Sequence, residues 1–197
     1  MATMTAAAPA GYPVTFDVQY PQELSRWLIF VKWLLAIPHF IVVYLLALAS
    51  GVVTFIAFFA ILFTKRYPRG LFDFVVGVNR WTANVSAYVL LMRDEYPPFS
   101  MDAGSYPVTY DVEYPQELSR WMIFVKWLLV LPNVIVVLLL LLIAEVVTFI
   151  AWFAILFTRK YPESFFQFVV GALRWQHRAN AYSNLMTDRY PPFSMEP

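Results

Sequence analysis

Of 197 residues, 60% are hydrophobic and 19% aromatic against 14% charged, a balance too apolar for an ordinary soluble domain and one that reads as a membrane protein. A formal charge of +1, with no dense block of lysine and arginine, excludes the long-range positive field on which nucleic-acid binding rests. With no cysteine in the chain, disulfides, thiolate chemistry and cysteine-based zinc or iron–sulfur sites are excluded too.

Residues 1–11 form an N-terminal tail that lacks the basic and apolar regions of a secretory signal, so insertion is expected to use internal segments. From there the chain repeats itself. A shift of 94 positions aligns Tyr12–Met101 with Tyr106–Met195 without a gap, and 60 of the 90 positions are identical. The domains are repeat 1 over residues 12–101, a linker over 102–105, and repeat 2 over 106–197 with a short C-terminal tail. Because the joint "DAGS" is short, the repeats are expected to pack side by side.

Each repeat opens on a period-two alternation, Val14, Phe16 and Val18 against Thr15, Asp17 and Gln19, repeated by Val108, Tyr110 and Val112. Such alternation predicts a short half-buried strand. A lone strand leaves its edges unpaired, so the two are expected to pair with each other or with a neighbouring chain.

Next come 32 residues, Trp33–Thr64, without Lys, Arg, Asp or Glu; the matching window Trp127–Thr158 holds only Glu145. One straight helix of that length runs about 48 Å against a hydrocarbon core of roughly 30 Å. Two readings compete. Either the segment is a transmembrane helical hairpin turning at Ser50–Gly51 and Ala144–Glu145, or a short interfacial helix up to Pro38 and Pro132 precedes a single span. The hairpin is the expectation, because it puts Glu145 at a tip rather than at mid-membrane and gathers Arg26, Lys32, Lys65, Arg66 and Arg69 on one side.

The stretches Pro68–Met92 and Pro162–Met186 start with a proline suited to a first helical turn. In the second, aromatic and aliphatic residues contrast with Gln167, Arg174, Gln176, His177, Arg178, Asn180 and Asn184, and the segment reads as an interfacial amphipathic helix; the first is greasier, so a buried or spanning helix is an open alternative there. "YPPFS" at Tyr96–Ser100 and Tyr190–Ser194 is expected to be an extended strap.

The succession "LSRWLIFVKWLLAIPHF", "AFFAILFTKRYPRGLFDFVVGVNRW" and "DEYPPFS" resembles a family of bacterial membrane proteins known as a domain of unknown function and often found in tandem. The resemblance covers nearly all of both repeats. It implies a bacterial integral membrane protein and no activity.

Four Arg–Trp pairs stand out: Arg26–Trp27, Arg80–Trp81, Arg120–Trp121 and Arg174–Trp175. With Lys32 and Lys126, expected to snorkel, they are candidate lipid-headgroup contacts, since arginine grips phosphate bidentately and tryptophan favours the headgroup zone. Glu145 and its counterpart Gly51 are candidates for a hairpin tip or, with Thr54 and Thr148, for transport. His39 meets Asn133 in the other repeat and His177 meets Ala83, so neither histidine is supported by the comparison of repeats, and no spacing makes a metal site. No phosphate loop, nucleophile elbow or zinc-protease motif is present, and no catalytic residue is expected.

The fold class is therefore mainly α, integral to the membrane: two parallel tandem repeats, each a short β-strand, a transmembrane helical hairpin and an interfacial amphipathic helix. The expected role is a non-enzymatic accessory or scaffold protein of the bacterial inner membrane, multi-pass, with most polar segments cytoplasmic. Its partners are lipids and other membrane subunits or further copies of itself; no cofactor is expected beyond bound lipid. A small ion or proton channel or transporter, and a membrane-remodelling hairpin protein, are the alternatives.

Overall fold

The computed structural model describes residues 11–197; residues 1–10 of the expected tail lie outside it. Repeat 1 comprises β1 (Val14–Val18), α1 (Leu28–Leu35), α2 (Ile37–Thr64) and α3 (Arg69–Val89). Repeat 2 follows with β2 (Val108–Val112), α4 (Met122–Leu129), α5 (Leu131–Thr158) and α6 (Glu163–Ser183).

The strands form as the alternation predicts, with Val14, Phe16 and Val18 buried and Thr15 and Asp17 exposed. They pair with each other, antiparallel, with Phe16 opposite Tyr110. Those two positions are equivalents 94 apart, so a pseudo-two-fold axis passes between them. A two-stranded ribbon is marginal by itself and needs a helix beneath it. Here β1 lies on α6 and β2 on α3, so each repeat lends its strand to the other. The exchange continues beyond the strands. Leu24 donates its backbone N–H to Arg159 and Leu118 to Lys65, both at 2.8 Å, while the Tyr20 and Tyr114 hydroxyls donate to the carbonyls of Tyr161 and Tyr67. Phe16, Val75, Tyr110 and Val169 belong to one shared core.

The expected hairpin is not formed. Both α2 and α5 run unbroken for 28 residues through Ser50–Gly51 and Ala144–Glu145. A single glycine costs a helix only about 1 kcal/mol, whereas a turn in apolar surroundings would strand several backbone groups without partners. The chain bends instead at Ala36 and Val130, which separate the short helices from the long ones. Pro38 and Pro132 cause the break, since neither offers an N–H to the turn before it. A short helix followed by one long helix, the competing reading, is what the sequence builds.

The long helices end on a residue in the left-handed conformation, Lys65 or Arg159, each with φ 61°. That cap usually falls to glycine; here the carbonyl of the same residue accepts the Leu118 or Leu24 N–H from the other repeat, which over-determines the strained backbone. The basic end is assembled by the same exchange. Arg26 donates to the Phe157 carbonyl at 3.3 Å and Arg120 to that of Phe63 at 3.2 Å, so each stands at the C-terminal end of the other repeat's long helix.

The helices α3 and α6 depart from the interfacial expectation, α3 by taking the buried alternative. They are central, enclosed between the sheet and the long helices, with residues such as Val75, Ala83, Ala87, Val169 and Ala181 buried. Of the polar side chains that suggested a solvated face, Arg174, His177 and Arg178 are buried inside the fold, while Gln167 and Asn180 are exposed. The "YPPFS" segments are non-helical, as expected, and lead to a methionine packed on a glycine of these helices. A Cβ at Gly77 would come within 2.9 Å of Met101 Cβ, and one at Gly171 within 2.7 Å of Met195 Cβ.

The runs Leu28–Thr64 and Met122–Thr158 are long and apolar enough to cross a membrane, and only 11% and 22% of their most apolar windows is buried. A soluble protein's core helix would be mostly enclosed. Here Phe55, Phe63, Leu142 and Phe157 all stand exposed.

Candidate functional site

The four Arg–Trp pairs divide into two groups. Trp27 and Trp121 are each 80% exposed beside Arg26 and Arg120. The other two pairs are not headgroup-facing. Arg80 donates to the carbonyls of Tyr110 at 3.1 Å and Met101 at 2.8 Å and meets Asp111 at 3.4 Å. Arg174 does the same with Phe16 at 2.9 Å, Met195 at 2.8 Å and Asp17 at 3.2 Å. Each guanidinium ties a central helix to the strand it borrows and to the chain end of its own repeat.

Lys32 and Lys126 do not snorkel; each is 1% exposed. Lys32 Nζ meets Asp94 at 2.7 Å, donates to the Arg93 carbonyl at 2.6 Å and lies 5.1 Å from the Tyr88 ring centre. Lys126 repeats this with Asp188 at 2.7 Å, Thr187 at 2.8 Å and the Tyr182 ring at 5.2 Å. Two cationic locks thus hold α1 and α4 to the loops after α3 and α6. Because a buried charge must be paired, the recurrence of Asp94 and Asp188 at the same spacing was the signal in the sequence for these partners.

Trp81 and Trp175 are buried and donate their indole N–H groups to equivalent positions: His39 Nδ1 at 3.1 Å and Asn133 Oδ1 at 2.7 Å. A histidine accepting on Nδ1 keeps its proton on Nε2, and asparagine likewise presents an acceptor beside a donor. The His-to-Asn exchange between repeats, which counted against a role, conserves the hydrogen bond.

His177 lies under the centre of the sheet. Its ring packs 4.7 Å from Phe16 and 4.9 Å from Tyr110, the pair that flanks the pseudo-two-fold axis, and neither ring nitrogen has a hydrogen-bond partner. Burial drives its pKa down to about 4, so the ring stays neutral at physiological pH. Ala83 fills the equivalent place; two imidazoles would crowd the axis.

Glu145 and Gly51 are mid-helix positions, not tips. Glu145 lines a cleft of about 260 Å³ between the two repeats. Phe40 and Val43 of α2 and Val85 and Val89 of α3 line one side, Leu141 of α5 and Leu173 of α6 the other. Thr82, Ser86 and Gln176 add polar groups. Thr148 is not in this lining; its hydroxyl lies 3.2 Å from Tyr161 Oη. Burial pushes the Tyr161 phenol up to about 12, against the Thr148 hydrogen bond and with a further contribution from the Glu145 charge. Thr82, Ser86 and Gln176 carried no signal for this cleft in the sequence, because only the tertiary arrangement brings them into one lining with Glu145.

A family model described as "Domain of unknown function (DUF4389)" matches the chain twice, over residues 26–101 and 120–195. No curated protein and no solved structure matches it. Both family matches begin after the strand, so the exchanged strands lie outside the matched segments.

Proposed function

Because the chain belongs to the DUF4389 family, which carries no activity with it, we propose from its geometry that it is an integral protein of the bacterial inner membrane and acts there as a non-enzymatic scaffold or accessory subunit. One observation supports this above the others. The polar side chains of the interior are spent on holding the repeats together, through the Arg80 and Arg174 ties and the Lys32 and Lys126 locks, while the long helices present rows of exposed Phe, Leu and Ile. Contiguous apolar surface of that extent is stable only against lipid or another membrane protein. The exposed tryptophans Trp27 and Trp121, each beside an arginine, suit the headgroup boundary. The basic ends of α2 and α5, where Arg26, Arg66, Arg120 and Lys160 gather, face the cytoplasm under the positive-inside rule.

The test is isolation of the tagged protein from its native membrane in mild detergent, followed by intact-particle mass measurement and identification of every chain present. A fixed stoichiometry with another membrane protein, or a defined homo-oligomer, is the expected outcome. A lone chain carrying only lipid would count against the scaffold role.

A further inference from the structure

The two repeats differ at 30 of 90 aligned positions, and the differences are not spread evenly over the fold. Of the residues lining the cleft that contains Glu145, Val43 alone keeps its identity in the other repeat. The Lys–Asp locks and the Arg–strand ties are meanwhile the same on both sides. Thr82 and Gln176, which are equivalent positions, both line the cleft, so it straddles the pseudo-two-fold axis. The two sides of the cleft use different positions, Phe40 and Val43 of α2 against Leu141 and Glu145 of α5. Divergence has made the α5 side acidic, with Glu145 where the other repeat has Gly51.

Two of the cleft's polar groups, Glu145 and Thr82, present acceptors to it. A glutamate carboxylate accepts only. The Thr82 hydroxyl already donates to the Val78 carbonyl at 2.9 Å, which leaves its lone pairs for the cleft. Among the described residues no basic side chain pairs with Glu145. A carboxylate at the middle of a long apolar helix is costly when unpaired, by roughly 2.5–3.5 kcal/mol at a bilayer centre, and such residues mark ligand or ion paths. The rest of the wall, including Phe40, Leu141 and Leu173, is apolar.

We propose that this cleft binds a small amphiphilic organic ammonium compound, its N–H donors directed to Glu145 with Thr82 and Gln176, and its apolar body held between the repeats. A mixed wall of this kind, mostly apolar with a few convergent polar groups, is the usual make-up of a small-ligand site. At the roughly 30 Å³ that one water occupies in the liquid, the cleft holds about nine non-hydrogen atoms. A bare metal ion would leave the apolar walls unused. Ligand binding here goes beyond the scaffold role and stands or falls separately from it.

The experiment is a ¹⁹F NMR titration of 4-fluorophenethylammonium into the full-length protein in nanodiscs, with empty nanodiscs measuring partition into lipid. Saturable binding at one site per chain is expected. Glu145→Gln, which keeps the shape and removes the charge, should weaken it at least about tenfold. Leu173→Trp, which fills the cleft and leaves the carboxylate, should abolish it. Thermal unfolding of both variants establishes that they are folded. Binding no greater than in empty nanodiscs, or equal binding by wild type and Glu145→Gln, overturns the proposal. Stoichiometric competition by sodium chloride but not by choline chloride at equal ionic strength also overturns it, since that is the behaviour of an inorganic-cation site.

Discussion

Replacing His177 with alanine removes the imidazole beneath the sheet and gives repeat 2 the residue that repeat 1 already has at Ala83. Burial holds the His177 pKa at about 4, against 6.5 for a free histidine. The unfolded chain therefore takes up a proton on this ring as the pH drops below 6.5, while the folded chain does not until about 4. Stability attributable to the neutral ring is complete above pH 6.5 and is lost as the pH falls toward 4. At pH 5 the loss is about 2 kcal/mol and at pH 4 about 3 kcal/mol, at 1.36 kcal/mol per unit. For a chain of this size 2 kcal/mol corresponds to a Tm change of about 4–8 °C. The assay is thermal unfolding in one detergent at pH 8 and pH 5, for wild type and His177→Ala. Loss of the ring also leaves a cavity, a penalty that does not vary with pH, so the deciding quantity is the change in the wild-type-minus-variant difference between the two pH values. A shrinking wild-type advantage at pH 5 is expected. A difference constant across that range refutes the claim that the ring is desolvated and neutral in the fold.

Asp94→Ala leaves Lys32 buried without its carboxylate and should lower stability by about 3–5 kcal/mol, the cost of breaking a buried pair, as read by the denaturation midpoint. The symmetry-related Asp188→Ala should act alike. Cysteines replacing Thr15 and Asp111, which face each other across the exchanged strands, should form a disulfide in the otherwise cysteine-free chain, visible as a mobility shift on non-reducing gels; failure to oxidise would speak against the strand pairing. A single cysteine at Gly51 should resist an impermeant thiol reagent from either side of sealed vesicles, whereas cysteines at Gln22 and Gln116 should react from one common side. Labelling of position 51 from outside would restore the hairpin.

Much of the architecture was legible because it repeats locally. The alternation Val14, Phe16, Val18 marked a strand whose core partner could be read one residue at a time. The duplication located the units before any helix was assigned. The hairpin was misread because the placement of Glu145 at a tip and the gathering of the basic residues on one side were given more weight than the proline at 38. That proline bends the run early and lets α1 absorb part of its length. The placement of α3 and α6 was misread for a different reason. Arg80, Asn84, Arg174 and Arg178 look like a solvated stripe when a helix is viewed alone, and only the exchanged strand above it supplies the carbonyls that two of these guanidiniums need. A partner contributed by a segment more than 150 residues away, as Phe16 is for Arg174, leaves no local signature.

The pseudo-symmetry also explains which residues were free to diverge. A group tied to the other repeat's backbone must satisfy two environments at once. Arg80 and Arg174, Lys32 and Lys126, and Asp94 and Asp188 are accordingly matched pairs with matched geometry. His39 and Asn133 differ in name but preserve an acceptor for the indole. Where no such constraint acts, under the sheet at His177 and along the cleft at Glu145, the repeats part company. His177 breaks the symmetry because two such rings have no room on the axis. Glu145 breaks it on one side alone, because it lines the cleft and its counterpart Gly51 does not. A duplicated fold can acquire chemistry where the shared ties leave it free to lose symmetry, and nine of the 30 differing positions contribute to the lining of the cleft with its single acid.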